Sequence, residues 1–114
     1  ADPAAAAACL REALAIREKL APAAWTTANA RSLLGAALAR QGKPAEAEPL
    51  LVAGYAGLLA DRKGIPPPAT NILPDAADRL VELYQALGKP AEAAKWRAER
   101  AKYPHVAPMP RLKR

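Results

Sequence analysis

Large aromatic side chains and cysteine are scarce in this sequence. Phenylalanine is absent, and the 114 residues include two Trp, three Tyr, one Cys and one His. A single cysteine excludes an intrachain disulfide, and one cysteine with one histidine cannot assemble a Cys/His zinc site. We therefore expect no bound metal, no cofactor, and a reducing, cytoplasmic compartment.

Long apolar runs are also missing. The longest run, residues 50–60, contains two glycines and is far shorter than the roughly 20 residues that cross a bilayer. The sequence begins without an initiator Met and without a basic segment ahead of an apolar stretch, so we interpret residues 4–8 as part of a helix rather than as a signal peptide. We expect it to be a fragment of a longer protein.

Groups that could perform catalysis are few. Ser32 and His105 are the sole serine and histidine, and about 70 residues separate them, so a nucleophile and base pair is not expected. The six glycines stand singly, which excludes a glycine-rich phosphate loop. Cys9 is interpreted as a small buried hydrophobic residue rather than a reactive thiol. These features predict a chain that is not an enzyme.

Alanine is the commonest residue, at 31 of the 114 positions, and hydrophobic residues make up 52% of the chain. Alanine is the strongest helix former and a poor strand former. A chain of this length buries one hydrophobic core but not two independent ones. The composition therefore predicts a single all-α domain built by close contact between helices.

The net charge of +6 is confined to one end of the sequence. Residues 1–94 hold ten basic and ten acidic side chains, whereas residues 95–114 hold seven basic side chains against Glu99 alone. A basic end without a groove-binding helix motif is typical of a solvated terminus. We do not expect nucleic acid as a partner, and binding of this end to nucleic acid or anionic lipid is the weaker alternative.

An internal repeat organises the chain. The hexapeptide Gly-Lys-Pro-Ala-Glu-Ala occurs at residues 42–47 and again at residues 88–93, 46 residues later, with apolar residues at helical spacing ahead of each copy. Residues 9–14 align with residues 50–55 at an offset of 41. Repetition at such a period is the signature of a solenoid of helix pairs.

The pattern of each unit predicts two helices separated by the Gly-Lys-Pro turn. Gly42 is predicted to end the first helix as a left-handed cap, and Pro44 to lie in the first turn of the second. Gly54 and Gly57 interrupt that second helix at a cost of roughly 1 kcal/mol each relative to Ala. We expect a neighbouring helix to approach closely at Gly54, and we expect Gly57→Ala to be neutral or stabilising.

The predicted domain is a helical repeat domain over residues 1–103. It divides into a half-unit (4–20), a first unit (26–62) and a second unit (72–103), followed by a basic, proline-rich tail (104–114). The Pro-rich residues 66–68 are interpreted as a stiff spacer between the units.

These units resemble the tetratricopeptide repeat, which pairs two antiparallel helices around small and large residues at fixed positions. The residues that carry the resemblance are Leu34, Gly35, Leu38, Gly42, Ala47, Leu51 and Gly54 in the first unit, and Leu80, Tyr84, Gly88 and Ala93 in the second. The long period looks like the variant found in kinesin light chains. The stretch from Leu10 to Leu51 looks like the repeats that end some bacterial serine/threonine protein kinases.

The resemblance implies a concave groove, lined by the first helix of each unit, that binds a protein or peptide partner. The residues predicted to face this groove are Asn29, Ser32, Ala36, Arg40, Asp78, Glu82 and Gln85. A row of acidic side chains at Asp75, Asp78 and Glu82 also fits a solvated helix face, or a metal or acid–base pair. The groove is favoured because a solenoid necessarily has one concave face.

We therefore interpret the chain as a non-catalytic protein-interaction or scaffolding module of a larger bacterial protein. The alternative is the C-terminal regulatory repeat region of a bacterial serine/threonine kinase, whose catalytic motifs this sequence does not contain. The first helix presents Leu10, Leu14 and Ile16, and we expect weak self-association of the chain through this helix.

Overall fold

The computed structural model describes residues 2–65 and 71–103. These described residues form five α-helices and no β-strand. The helices are α1 (Pro3–Leu20), α2 (Trp25–Arg40), α3 (Pro44–Ala60), α4 (Ile72–Ala86) and α5 (Pro90–Arg100), with a short 3-10 turn (Arg62–Gly64) after α3. The predicted all-α class and the predicted number of helices are confirmed for this part of the chain.

Three sequence predictions concern residues outside the described ranges. These are the stiff spacer at residues 66–68, the expectation that Ser32 and His105 do not form a nucleophile and base pair, and the basic tail at residues 104–114. Within the described ranges, no helix combines the length and the apolar character needed to cross a membrane.

The repeated hexapeptide forms the turn that joins two paired helices. Gly42 has a φ of 80° and Gly88 a φ of 71°, in the left-handed region that glycine adopts without a Cβ clash. Pro44 and Pro90 then begin the following helices, where the missing N–H leaves no hydrogen bond unmade. The glycine cap and the helix start predicted from this motif are therefore confirmed.

Helices α2 and α3 approach each other most closely at glycines. A Cβ placed on Gly35 would lie 2.7 Å from Cγ of Leu51, and a Cβ placed on Gly54 would lie 2.8 Å from the backbone nitrogen of Ser32. Such distances are shorter than van der Waals contact, so the absent side chains are what allows the two helices to meet. The predicted close approach at Gly54 is confirmed.

Gly57 is a second close contact between the same helices. The prediction that Gly57→Ala is neutral or stabilising is therefore wrong. A Cβ placed on Gly57 would lie 2.7 Å from Cβ of Ala28. Ala28 is 1% exposed and has no flexible side chain that could move away. We therefore expect Gly57→Ala to destabilise the fold, since the clash exceeds the gain of roughly 1 kcal/mol in helix propensity.

The hydrophobic core runs along the contacts between successive helices. Its largest fully buried apolar side chains are Leu51, Leu58, Leu80 and Leu83. Tyr55 and Tyr84 are buried as well, and the Trp96 ring meets the Tyr55 ring edge-on at a centroid distance of 5.2 Å. These aromatic residues thus serve packing between helices.

The start of α2 is held by the end of α3. Ala24, the residue before α2, provides no side-chain cap, but the Trp25 backbone N–H donates to Oδ2 of Asp61 at 2.7 Å. A carboxylate at a helix N-terminus satisfies a free N–H and interacts favourably with the helix dipole. This contact joins the two ends of the first helix pair.

Cys9 is exposed on α1, which corrects the prediction that it is buried. Helix α1 packs mainly against α2 and does so through Ala7 and Leu14, both buried. The alignment of Cys9 with Leu50 fails as a guide to burial because α3 packs against both α2 and α4. Leu14 likewise belongs to the core rather than to the predicted exposed surface, whereas Ile16 is exposed.

Candidate functional site

A cleft of about 200 Å³ lies between α2 and α4, with α3 at its base. Ala36 and Ala39 line it from α2, Leu51 from α3, and Leu83 and Ala86 from α4. The short alanine side chains keep the facing helices from filling the space between them. We call this space the α2/α4 cleft.

Charged side chains also line the α2/α4 cleft. They are Arg40 from α2 and Arg79 and Glu82 from α4. Arg40 and Glu82 are exposed, whereas Arg79 is half-buried. The cleft therefore combines an apolar surface with two guanidinium groups and one carboxylate.

Arg79 is held in place by a buried hydroxyl. Its Nη1 donates to Oγ of Ser32 at 2.9 Å, and Ser32 is fully buried. Burial lowers the pKa of the Arg79 guanidinium, Arg40 lowers it further, and the carboxylates of Asp75 and Glu82 act in the opposite direction. The group nevertheless stays protonated at neutral pH because an arginine begins from a very high pKa.

Among residues 2–65 and 71–103, no carboxylate forms a direct ion pair with either arginine of the cleft. The ion pairs formed among the described residues involve other side chains, and Arg79 makes its one hydrogen bond there to Ser32. A guanidinium has five N–H donors in a planar fork that matches a carboxylate. The cleft thus offers unused donors beside an apolar surface.

The structure brings three of the predicted groove residues together. Ala36, Arg40 and Glu82 all line the α2/α4 cleft. Ser32 lies beneath it, and because it is fully buried it acts by positioning Arg79 rather than by facing a partner.

The other three predicted groove residues lie elsewhere. Asn29 lines a second cleft, of about 220 Å³, between α1 and α2. Asp78 forms an ion pair of 3.2 Å with Arg100 of α5, and Gln85 lines a shallow pocket between α4 and α5. Their participation in binding remains a prediction.

Arg79 is the charged cleft residue that was not predicted from the sequence to face the groove. The 46-residue offset between the units places Arg79 at the position of Leu33, an apolar residue in the first unit. A charged residue at an otherwise apolar repeat position is the signal that identifies it. Arg79 is half-buried because it occupies a repeat position whose equivalent in the first unit, Leu33, is an apolar packing residue.

Residues 2–65 and 71–103 contain no group of three or more His, Cys, Asp or Glu side chains placed to hold a metal ion. Within the acidic row of α4, the Asp78 carboxylate is instead engaged by Arg100. The chemistry visible in the α2/α4 cleft is therefore hydrogen bonding, charge attraction and apolar contact.

Comparison with known proteins identifies one family in this chain. A family model described as "Tetratricopeptide repeat" matches residues 27–54, which cover most of α2 and the first part of α3. No curated protein and no solved structure matches the chain. Residues 27–54 thus form a tetratricopeptide repeat, as the sequence predicted, while the long variant and the kinase-linked resemblance stay predictions.

Proposed function

We propose that this tetratricopeptide-repeat chain is a protein-interaction module whose α2/α4 cleft binds an acidic segment of a protein partner. The observation that supports the proposal is the pair of arginines, Arg40 and Arg79, which line a partly apolar cleft and form no direct ion pair with a carboxylate of the described residues. Repeats of this architecture use their concave surfaces for binding.

The lining of the cleft defines the chemistry of the partner segment. A carboxylate satisfies the free guanidinium donors and gains from the partial burial of Arg79, because charge attraction strengthens as water is excluded. Ala36, Ala39 and Leu83 accommodate a small apolar side chain beside it. Glu82 repels a second carboxylate on the α4 side, so the segment contains one acidic residue next to an apolar one.

Selection from a random peptide library displayed on phage tests this proposal. The wild-type chain should enrich peptides that hold Asp or Glu next to a small apolar residue, and Arg40→Gln with Arg79→Gln should weaken binding of those peptides by about tenfold or more. Arg62→Gln is the matched control, because Arg62 is exposed in the turn after α3, outside the cleft.

Two results would contradict the proposal. One is enrichment of peptides without acidic residues. The other is a loss of affinity that is equal for the cleft variant and the Arg62→Gln control. Circular dichroism of each variant verifies that the helices are retained, since Arg79 also contacts Ser32.

A regulatory repeat region of a bacterial serine/threonine kinase is the narrower alternative, and it rests on the sequence resemblance alone. A catalytic His-Arg-Asp loop encoded upstream in the same gene would support it. A complete gene without kinase motifs would exclude it and leave the binding proposal intact.

A further inference from the structure

The side of α1 that faces away from the core presents apolar side chains to solvent. Ile16 is 59% exposed and Leu20 is 80% exposed, the highest values among the large hydrophobic residues that the structure describes. Cys9 is exposed, whereas Ala13 is half-buried and also lines the edge of the cleft between α1 and α2. These four positions are spaced by four, three and four residues, so they form one stripe along α1, which we call the α1 seam.

The α1 seam is distinct from the side of α1 that holds the fold together. Ala7 and Leu14 belong to the buried core, and with 3.6 residues per turn their direction lies roughly 140° from the centre of the seam. Substitutions in the seam at Ile16 or Leu20 therefore leave the core contacts of α1 in place.

We propose that the α1 seam pairs with the α1 seam of a second copy of this chain, with the two helices antiparallel. Ala13 of one copy then lies opposite Ile16 of the other, and Cys9 lies opposite Leu20. Each layer combines a small side chain with a large one and so fills the interface evenly. Parallel pairing would instead place two alanines opposite each other and leave that layer underpacked.

Charges beside the seam fit the same orientation. Glu12 and Lys19 are exposed on one flank of the seam, and neither is among the ion-paired residues of the described chain. Antiparallel pairing brings Glu12 of each copy beside Lys19 of the other, so the two-fold symmetry produces the contact twice. The helix dipoles also oppose each other in this arrangement.

The contact is small, so the association is weak. The seam extends over about three helical turns, and interfaces of such size support transient rather than permanent dimers. We expect a monomer–dimer equilibrium that becomes visible when the full chain is concentrated.

Sedimentation equilibrium of the full chain provides the first test. Ile16→Lys should raise the dimer dissociation constant by about tenfold or more, because it places two like charges in an apolar seam. Ala15→Lys is the matched control, since it adds the same charge at an exposed position of α1 outside the seam, and it should self-associate like the parent. A parent that stays monomeric, or equal effects of the two variants, overturns the proposal.

Charge reversal tests the flank. Glu12→Lys should weaken the dimer, and adding Lys19→Glu to the same chain should restore it, because the exchanged charges attract again. Circular dichroism verifies that both variants keep their helices. If the dimer of the double variant is weaker than the dimer of the single variant, the proposed pairing of Glu12 with Lys19 is wrong.

Oxidative cross-linking tests the orientation. In the antiparallel dimer the two Cys9 residues lie about 16 Å apart along the helix, too far for a disulfide, so the wild-type chain should remain uncross-linked. Leu20→Cys should yield a disulfide-linked dimer under mild oxidation, since position 20 lies opposite Cys9 of the second copy. Efficient cross-linking of the wild-type chain, or none of the variant, overturns the antiparallel arrangement.

Discussion

The α2/α3 pair and the α4/α5 pair share the same connecting turn but are held together differently. In the first pair Ser32 meets Gly54 at a close helix crossing. The equivalent residues of the second pair, 46 positions later, are Asp78 and Arg100, which form an ion pair of 3.2 Å.

The same contrast recurs one turn earlier on the second helix of each pair. Leu51 is 1% exposed, whereas the equivalent residue Arg97 is exposed. Buried apolar side chains stabilise a fold by about 1.5–3 kcal/mol each, and exposed ion pairs by less than about 1 kcal/mol. One turn motif thus serves both a tight apolar crossing and a looser charged one, and stability is concentrated in the α2/α3 pair.

The largest expected difference is between Leu51 and Arg97. Leu51→Ala should lower the free energy of unfolding by about 3 kcal/mol, because it removes a buried side chain and leaves a cavity. Arg97→Ala should change it by less than about 0.5 kcal/mol, since the position is exposed. Urea denaturation followed by circular dichroism measures both, and similar losses at the two positions would show that the pairs are equally tight.

A smaller loss is expected at the α2/α3 crossing itself. Gly54→Leu should cost about 2 kcal/mol, because its Cβ alone would meet the backbone of Ser32. Ala53→Leu, at the neighbouring exposed position of α3, controls for the added side chain and should be close to neutral. If thermal unfolding shows equal effects for the two substitutions, the crossing does not depend on glycine.

The contact between the two pairs is expected to weaken at alkaline pH. The Tyr84 hydroxyl donates to Oε2 of Glu48 at 2.7 Å, and burial, followed by this hydrogen bond, raises the pKa of Tyr84 from 10.0 to about 12. Because the folded state holds the proton more tightly, the stabilisation is complete below pH 10 and is lost as the pH rises to about 12.

Tyr84→Phe isolates that contribution. The variant should be about 1 kcal/mol less stable than the parent at neutral pH, and the difference between them should disappear over the alkaline range. Denaturant titrations at several pH values provide the measurement. A difference that stays constant with pH would mean that the pKa of Tyr84 is the same in the folded and the unfolded chain.

The smallest effect is expected at the charged crossing of the second pair. A double-mutant cycle with Asp78→Ala and Arg100→Ala should give a coupling energy of about 0.5 kcal/mol, because half of the Asp78 side chain is exposed. The coupling should decrease as salt is added. A coupling of several kcal/mol, insensitive to salt, would show that the α4/α5 crossing is as strong as the glycine crossing.

The sequence was sufficient for features that depend on neighbouring residues in the chain. The left-handed cap at Gly42 and the helix start at Pro44 follow from local backbone preferences, which hold in any surroundings. Gly54 was also predictable, because a glycine inside a helix requires a compensating contact. The same argument would predict a close contact at Gly57, but the sequence does not show that Ala28 lies against it.

The candidate site was predictable only in part. The repeat resemblance placed Ala36, Arg40 and Glu82 on one concave surface, and the structure places all three in one cleft. It could not show that Ser32 is buried and binds Arg79, because that contact joins helices of different units. Which residue of a repeat faces solvent depends on how closely its neighbours pack.

What the sequence alone determined is the order of helices and turns, the match of residues 27–54 to a tetratricopeptide repeat, and the position of the excess charge. Each of these depends on local propensity or on counting along the chain. Tertiary structure alone decided that Cys9 is exposed, that Leu14 is buried, and that Arg79 lines a cleft without forming a direct ion pair among the described residues. Burial and pairing are properties of the space between helices, and small differences in side-chain size across that space decide which groups meet and which face solvent.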